Sequence, residues 1–410
     1  MLMPKETIKL NADEVRQALE YVNDFWPRLH YVNTHDMGSL IGMPHPYLVP
    51  TEWQGNFGFL EQYYWDSYFT SLGIAGGDEK LDVGMLDNLV YLFERFGLVP
   101  NASRMYFTGR SQPPILTSYI FHIYETYHES EEWLKEHIKV AEREYHNVWV
   151  AEEHPHWRQV FNGLSRYYDV NVLHDLAEAE SGWDMTPRFN RECLDFVPID
   201  LNALLYKYER DFARAARIFN DASAARRWHR KARQRKEAVD KVMWDKARGF
   251  YFDYNYVDRK RSTISSLASY YPMWAGMVDD KQAKALVKRM EKFETPHGLM
   301  TTLRSVHDFK IFGSIKAQWA RPNGWAPLHY IVIEGLERYG YREEATRIAR
   351  KWLRTNTNWF IKHGEFLEKY NVVDAKKRPV EGVYPSQHGF GWTNGVYVYL
   401  ANRYVPELDH

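Results

Sequence analysis

Two carboxylic acids stand in surroundings suited to cleaving a glycosidic bond. That reaction needs one protonated carboxyl group at the leaving oxygen and a second carboxylate; a separation of roughly 6.5–9.5 Å leaves room for a water and predicts inversion. Asp184 lies in Glu180-Ser181-Gly182-Trp183-Asp184-Met185-Thr186-Pro187-Arg188-Phe189, a segment whose Gly and Pro can turn a side chain into a cavity. The adjacent indole of Trp183 would desolvate the carboxyl and raise its pKa, as a general acid requires. Glu368, in Glu365-Phe366-Leu367-Glu368-Lys369-Tyr370-Asn371, has a cation beside it that could keep a general base ionised. On spacing alone, a surface or helix-capping carboxylate is the commoner reading of either.

Other segments have the chemistry to hold a sugar. Tyr63-Tyr64-Trp65-Asp66-Ser67-Tyr68-Phe69 joins a carboxylate to aromatic faces, a combination that stacks on a hexose and bonds vicinal hydroxyls. An aromatic core helix explains the same residues equally well. Gly109-Arg110-Ser111-Gln112-Pro113-Pro114 offers a planar guanidinium and an amide just before a helix. The segments Gln318-Trp319-Ala320-Arg321-Pro322-Asn323-Gly324-Trp325 and Gln387-His388-Gly389-Phe390-Gly391-Trp392 interleave amides, indoles and glycines. With 15 Trp, 29 Tyr and 21 Phe in 410 residues, rings are abundant enough for both core and site.

Helical periodicity dominates the elements that must position these groups. Leu86, Leu89, Val90 and Phe93 form one stripe of a helix over residues 82–96, stopped by Gly97. Glu131 to Val150 repeats the signal, and a further helix opens near Pro198 with Asp200 as N-cap. Helices are also expected over 12–25, 64–75, 114–128, 222–244, 262–277, 280–293, 324–339, 342–355 and 387–404. The best strand is Gly249 to Tyr256. About six helical hairpins without a linker or composition shift predict an all-α chain closed as an (α/α)6 toroid. Residues 1–410 read as one catalytic domain, with 1–50 a helix and loop packed on it. An open solenoid is the competitor, but no repeat of 30–45 residues is visible. In a toroid the irregular loops gather at one mouth, here Tyr47 to Trp65, Pro100 to Pro114, Phe161 to Phe189 and Gly364 to Trp392.

Composition narrows the partners. Lys plus Arg is 53 and Asp plus Glu is 54, a formal charge of −1 that gives no reason to expect nucleic acid or an anionic membrane. No apolar run approaches a membrane span. A single cysteine, Cys193, forms no internal disulfide, and the opening residues MLMPKETIKLNADE are charged where a signal peptide is apolar, so a cytoplasmic address is expected. His154-Pro155-His156 has no third ligand at a diagnostic spacing, and the basic residues from Arg226 to Lys236 cover several faces of one helix. Both read as solvated surface. No metal, no cofactor and a small carbohydrate as the ligand are the expectations, with the chain a monomer or homodimer.

Taken in order, the blocks WDSYFTSLG at Trp65, VPNASRMYFTGRSQPP at Val99, GLSRYYD at Gly163, ESGWD at Glu180, VPIDLNALLYK at Val197, PNGWAP at Pro322, EKYN at Glu368 and GFGWTNGV at Gly389 resemble the trehalase family, glycoside hydrolase family 37. The resemblance runs from about residue 55 onward. It implies an (α/α)6 toroid, metal-independent hydrolysis of an α-glucoside with inversion, Asp184 as acid and Glu368 as base. It places Trp65, Asp66, Asn101, Arg110 and Gln112 on sugar-contacting segments. Gln318, Asn323, Trp183, Trp319, Trp325 and Trp392 are expected to line the substrate site and exclude solvent.

The chain departs from the family pattern in Gly58, Ala320, Val383 and His388, where an arginine and three acidic residues are usual. A segment that follows GLSRYYD and contributes a pocket arginine is missing, and Arg188 is the candidate to replace it. These departures touch the leaving-group side, so another α-glycoside, such as glucosylglycerate or mannosylglycerate, is the alternative substrate. Two rivals come from other classes: a sugar isomerase or epimerase using histidines such as His329 and His388, and a non-catalytic carbohydrate-binding protein.

Overall fold

The computed structural model describes residues 8–53, 58–308, 310–311 and 315–408. Residues 1–7 of the opening segment and 54–57 of the Tyr47–Trp65 loop lie outside it. The helices in chain order are α1 Ala12–Leu29, α2 Tyr64–Ile74, α3 Glu79–Phe96, α4 Leu116–Tyr127, α5 Glu131–Glu144, α6 His174–Glu180, α7 Ile199–Ile218, α8 Ala222–Val242, α9 Tyr271–Trp274, α10 Asp280–Met290, α11 Ala326–Arg338, α12 Arg342–His363 and α13 Gly391–Tyr404. Caps follow sequence chemistry: Asn11, Asp78, Ser130 and Asp221 each accept a backbone N–H of the first turn, and Asp279 with Gln282 completes a capping box. Gly97 ends α3 at φ 77° as its position predicts.

Neighbour contacts arrange these helices in two rings. The inner ring is α2, α4, α7, α9, α11 and α13, and the outer layer is α1, α3, α5, α8, α10 and α12. Tyr68 of α2 meets Tyr119 of α4 at 6.1 Å, and α13 packs back on α2 to close the circle. The α2–α13 crossing is very close: a Cβ on Gly73 would lie 2.6 Å from the Gly395 Cα, so this seam demands glycine. This is the (α/α)6 toroid expected from the helix pattern. Helix α1 contacts α12 and α13.

Several elements differ from their expected form. The helix expected to run to Val150 ends at Glu144 and widens into a π turn, Tyr145–Trp149, where the Trp149 indole donates to the Glu144 carboxylate five residues back. Asp200 is not the cap of α7; Pro198 holds that position and the Asp200 carboxylate faces Arg188. Of the helix expected over 262–277, only a 3-10 turn, Leu267–Tyr270, and the short α9 form. Pro272, which cannot donate a backbone bond, sits in the first turn of α9. Gly249 to Tyr256 splits into two strands: Phe250–Tyr251 pairs with Trp244–Asp245, and Tyr254–Asn255 with Phe196–Val197 and Lys260–Arg261.

Candidate active site

All four long loops named from the sequence meet at one mouth of the toroid. They line a cavity of about 200 Å³ with Pro50, Phe59 and Tyr63 from the first, Asn101, Phe107, Arg110 and Gln112 from the second, Ala179, Gly182 and Asp184 from the third, and Tyr384, Phe390 and Trp392 from the fourth. Trp65 and Asp66 complete the wall from the first turn of α2. That helix start has no side-chain cap of its own. Gln112 supplies one from across the pocket: its Oε1 accepts the Trp65 N–H at 2.9 Å, and its Nε2 faces Asp66 Oδ2 at 3.5 Å. Arg110 bonds Asp169 at 3.2 Å and lies over the Phe107 ring, while its buried Nε has no partner among the described residues. Asn101 donates to the Ser111 carbonyl, tying the two strands of that loop together.

Asp184 follows a turn that glycine makes possible. Gly182 adopts φ +72° and lies so close to Trp65 that a Cβ would stand 2.7 Å from its ring. Gln318 Nε2 then donates to the Asp184 carbonyl at 2.6 Å, and the Met185 carbonyl accepts from Trp319 N at 3.1 Å. Burial raises the Asp184 carboxyl to about 7; the Glu368 charge pushes the same way, and Lys369 and Arg110 oppose it. Burial likewise raises Asp66 to about 8, with Asp184 and Glu368 adding to the effect. Behind this loop, burial holds Glu178 at about 8 while it accepts the Thr186 N–H at 2.7 Å.

Glu368 is wholly buried behind Tyr384 and Trp392. A two-stranded ladder, Asn323–Trp325 with Lys369–Asn371, fixes its segment. Lys369 Nζ donates to Oε2 and the Tyr384 hydroxyl to Oε1, each at 2.7 Å, while Trp392 Nε1 and Thr393 Oγ1 hold the Glu368 carbonyl. The cation read as its charge partner therefore makes the contact. Tyr384 is raised well above its usual value by burial and the nearby Glu368 charge, so it remains a donor.

Other expected substrate contacts lie elsewhere. Arg188 is a correction: it is fully buried in paired contacts with Asp200 and Asp253, away from the pocket, and replaces no sugar-binding arginine. Arg188→Met should leave two buried carboxylates without a cation and cost about 3–5 kcal/mol, read as a lowered thermal midpoint with KM unchanged in the folded fraction. Asn323 is also corrected, since its side chain bonds the Gln318 and Val380 carbonyls and the Val380 N–H, stapling loops rather than lining the cavity. Trp183, Trp319 and Trp325 are buried behind the wall and Gln318 bonds the Asp184 loop. Among the fifteen lining residues only Trp65 and Trp392 supply indoles.

Sequence reasoning passed over residues that act through these groups. Glu180 is a buried hub: its carboxylate accepts the Ser111 and Tyr168 N–H groups and an N–H from each Nη of Arg158, binding the Arg110 loop, the Asp169 turn and the start of the Asp184 loop together. Asp169 and Tyr384 belong with it. Tyr384, an aromatic residue before a proline in the loop after Glu368, is the one a sequence signal could have found.

Among the described residues, no histidine lines the cavity. His329 is fully buried, pushed down to about 3 by that burial, and engaged with the Trp325 carbonyl and the Leu299 N–H. A cavity of aromatic faces, one arginine and amides, with the Asp66 and Asp184 carboxyls on its wall and Glu368 buried behind Tyr384, at the mouth of an (α/α)6 toroid defines a six-hairpin glycosidase. The trehalase family model matches residues 3–180 and 165–405. The chain belongs to the trehalase family.

Among its relatives, a periplasmic trehalase of Xanthomonas oryzae is 33% identical over 98% of this chain and 76% of its own length. A cytosolic neutral trehalase of Neurospora crassa is 34% identical over 86% of this chain and 58% of its own. The structure of a neutral trehalase from Saccharomyces cerevisiae superposes with a TM-score of 0.77 at 28% identity, covering 96% of this chain and 80% of that one. A mannosylglycerate hydrolase from Thermus thermophilus shares the fold at a TM-score of 0.68 and 18% identity, over 93% and 99% of the two chains. The alignment with the Xanthomonas protein extends over 450 positions against a chain of 410, so that relative carries segments with no counterpart here. No described helix is long and apolar enough to cross a membrane.

Proposed function

We propose that the protein hydrolyses trehalose to two glucose molecules with inversion, in a single catalytic unit formed by residues 1–410. Asp184 gives its proton to the glycosidic oxygen, and Glu368 takes a proton from the water that attacks the opposite face of the ring. The observation that carries this reading is the contrast between the two carboxyls: one is held at about 7 on the pocket wall, the other is clamped by Lys369 and Tyr384. Trp65 and Asp66 orient the ring, Asn101, Arg110 and Gln112 bond its hydroxyls, and Trp392 excludes solvent. The cytoplasmic address is one of two that the relatives' names carry.

A second reading keeps the glucose site and changes the leaving group. It is favoured by Ala320, Val383 and His388 at positions where the family has acids, and by the segments this chain lacks. Proton NMR of the protein with trehalose, glucosylglycerate and mannosylglycerate separates the two. β-Glucose from trehalose ahead of mutarotation supports the first, whereas silence on trehalose with turnover of a glycerate glycoside establishes the second. Sugar binding without product from any of them would overturn both.

The acid must be protonated, so kcat/KM should fall as pH rises through about 7, the value at which Asp184 ionises. Stability should move the same way. Asp184, Asp66 and Glu178 have folded values of about 7, 8 and 8, above their unfolded values, so the unfolded chain gives up these protons first. The thermal midpoint is expected to decline between about pH 4 and pH 8; calorimetry across that range checks the sign.

A further inference from the structure

The indoles displaced from the pocket form a continuous column. Arg188 stands over the Trp183 ring with its Cζ 4.5 Å from the centroid; Trp183 stacks on Trp319 at 5.4 Å and 25°; Trp319 stacks on Trp325 at 3.7 Å and 1°; and Lys369 Nζ lies 4.9 Å over Trp325. Both ends are fixed. Arg188 is locked by Asp200 and Asp253, and Lys369 by Glu368. The three rings carry the negative faces that both terminal cations favour. Trp183 is the residue before Asp184, and Lys369 is the residue after Glu368.

The column thus runs from the backbone of one carboxyl residue to the backbone of the other. Its Trp319–Trp325 step, parallel at 3.7 Å, is in van der Waals contact and resists compression, and the buried packing around the tilted Trp183–Trp319 step limits its slack. The pocket-facing Trp65 and Trp392 lean on it, Trp65 tilted 41° to Trp319 and Trp392 edge-on to both Trp319 and Trp325. The column itself does not reach the cavity.

We infer that the Trp183–Trp319–Trp325 column is a spacer that sets the separation of Asp184 from Glu368, with Trp319 its central positioning residue. The inference rests on the reading of those carboxyls as acid and base. A spacer differs from an ordinary core stack in its kinetic signature. An altered spacing displaces the acid from the water-activating base without removing any group that touches the sugar, so kcat falls while KM and product affinity stay.

The test compares Trp319→Leu and Trp319→Phe with Asp184→Asn and Glu368→Gln on trehalose. It uses folded protein quantified by its thermal transition, with glucose affinity measured by calorimetry. Trp319→Leu is expected to lower kcat by about 10- to 100-fold, the range for a misplacement near 1 Å, with KM and glucose affinity within about twofold of wild type. Trp319→Phe, which restores part of the stack, should fall between the two. If the leucine variant does not fold, the phenylalanine variant alone decides, its kcat falling with KM unchanged or not. Wild-type kcat in a folded Trp319 variant, or a loss carried by KM, overturns the spacer while leaving the acid and base in place. Near-native activity in Asp184→Asn or Glu368→Gln overturns the underlying reading and the spacer with it.

Discussion

Asp184→Asn should lower kcat on trehalose by about 10²–10⁴-fold, the range that a positioned proton donor contributes, and α-glucosyl fluoride should recover most of the loss. Fluoride departs without a proton, so a substrate that carries it no longer needs the acid, while every other part of the site remains. The asparagine has nearly the shape of the aspartic acid, and the contact that holds the loop, from Gln318 Nε2, is made to the backbone carbonyl. The variant therefore folds. It should also be the more stable protein at alkaline pH, because it lacks a carboxyl whose ionisation burial opposes up to about pH 7. Rates on the two substrates and melting curves at pH 5 and pH 9 measure both effects. An unchanged rate on trehalose removes Asp184 from its role.

Glu368→Gln should abolish turnover on the same scale, and the fluoride should not rescue it, since the attacking water still needs a base. Azide, which attacks without surrendering a proton, should restore a slow reaction that yields β-glucosyl azide. Its stability should differ from that of the Asp184 variant. Glu368 and Lys369 are both completely buried, and the amide offers one carbonyl to two donors, Lys369 Nζ and the Tyr384 hydroxyl. Leaving the ammonium without its counter-charge costs about 3–5 kcal/mol. A lowered thermal midpoint in Glu368→Gln beside a maintained one in Asp184→Asn would mark the two carboxyls as held by different forces. Fluoride rescue of both would assign the base elsewhere.

The large features were legible in the sequence because periodicity reports burial. Leu86, Leu89, Val90 and Phe93 could be placed on one helix face without knowing what they face, and the four long loops between such helices had to emerge together once the helices closed into a ring. Trp65, Asp66, Arg110 and Gln112 do share the cavity with Asp184. Direction of side chains was not legible. Arg188 is four residues from Asp184, yet its guanidinium is turned by Asp253, a residue far along the chain that no local pattern connects to it. The indoles of Trp183, Trp319 and Trp325 read like those of Trp65 and Trp392, and only packing separates a stack behind the wall from the wall itself. Helix α6 has seven residues, too few for a stripe to repeat. Glu180 escaped notice because two of its partners are backbone N–H groups, which leave no mark on side-chain sequence, and the third, Arg158, lies 22 residues away with no local pattern linking the two.

The glycine seam where α13 closes on α2 also sets when the pocket wall can first be complete. Trp65 at the start of α2 and Trp392 at the start of α13 meet edge to face at 6.1 Å, and Trp392 holds the Glu368 carbonyl. These segments are nearly the whole described chain apart. On a ribosome adding about 5–20 residues per second, the aromatic residues of α2 emerge well before the helix that completes their pocket. A nascent chain halted before Gly391 has Asp184, Arg110 and the Lys369 and Tyr384 partners of Glu368 but neither the second indole nor the Trp392 and Thr393 contacts that hold the Glu368 carbonyl. The pocket wall is therefore complete only when the closing helix has packed, and a product truncated before Gly391 is expected to be inert.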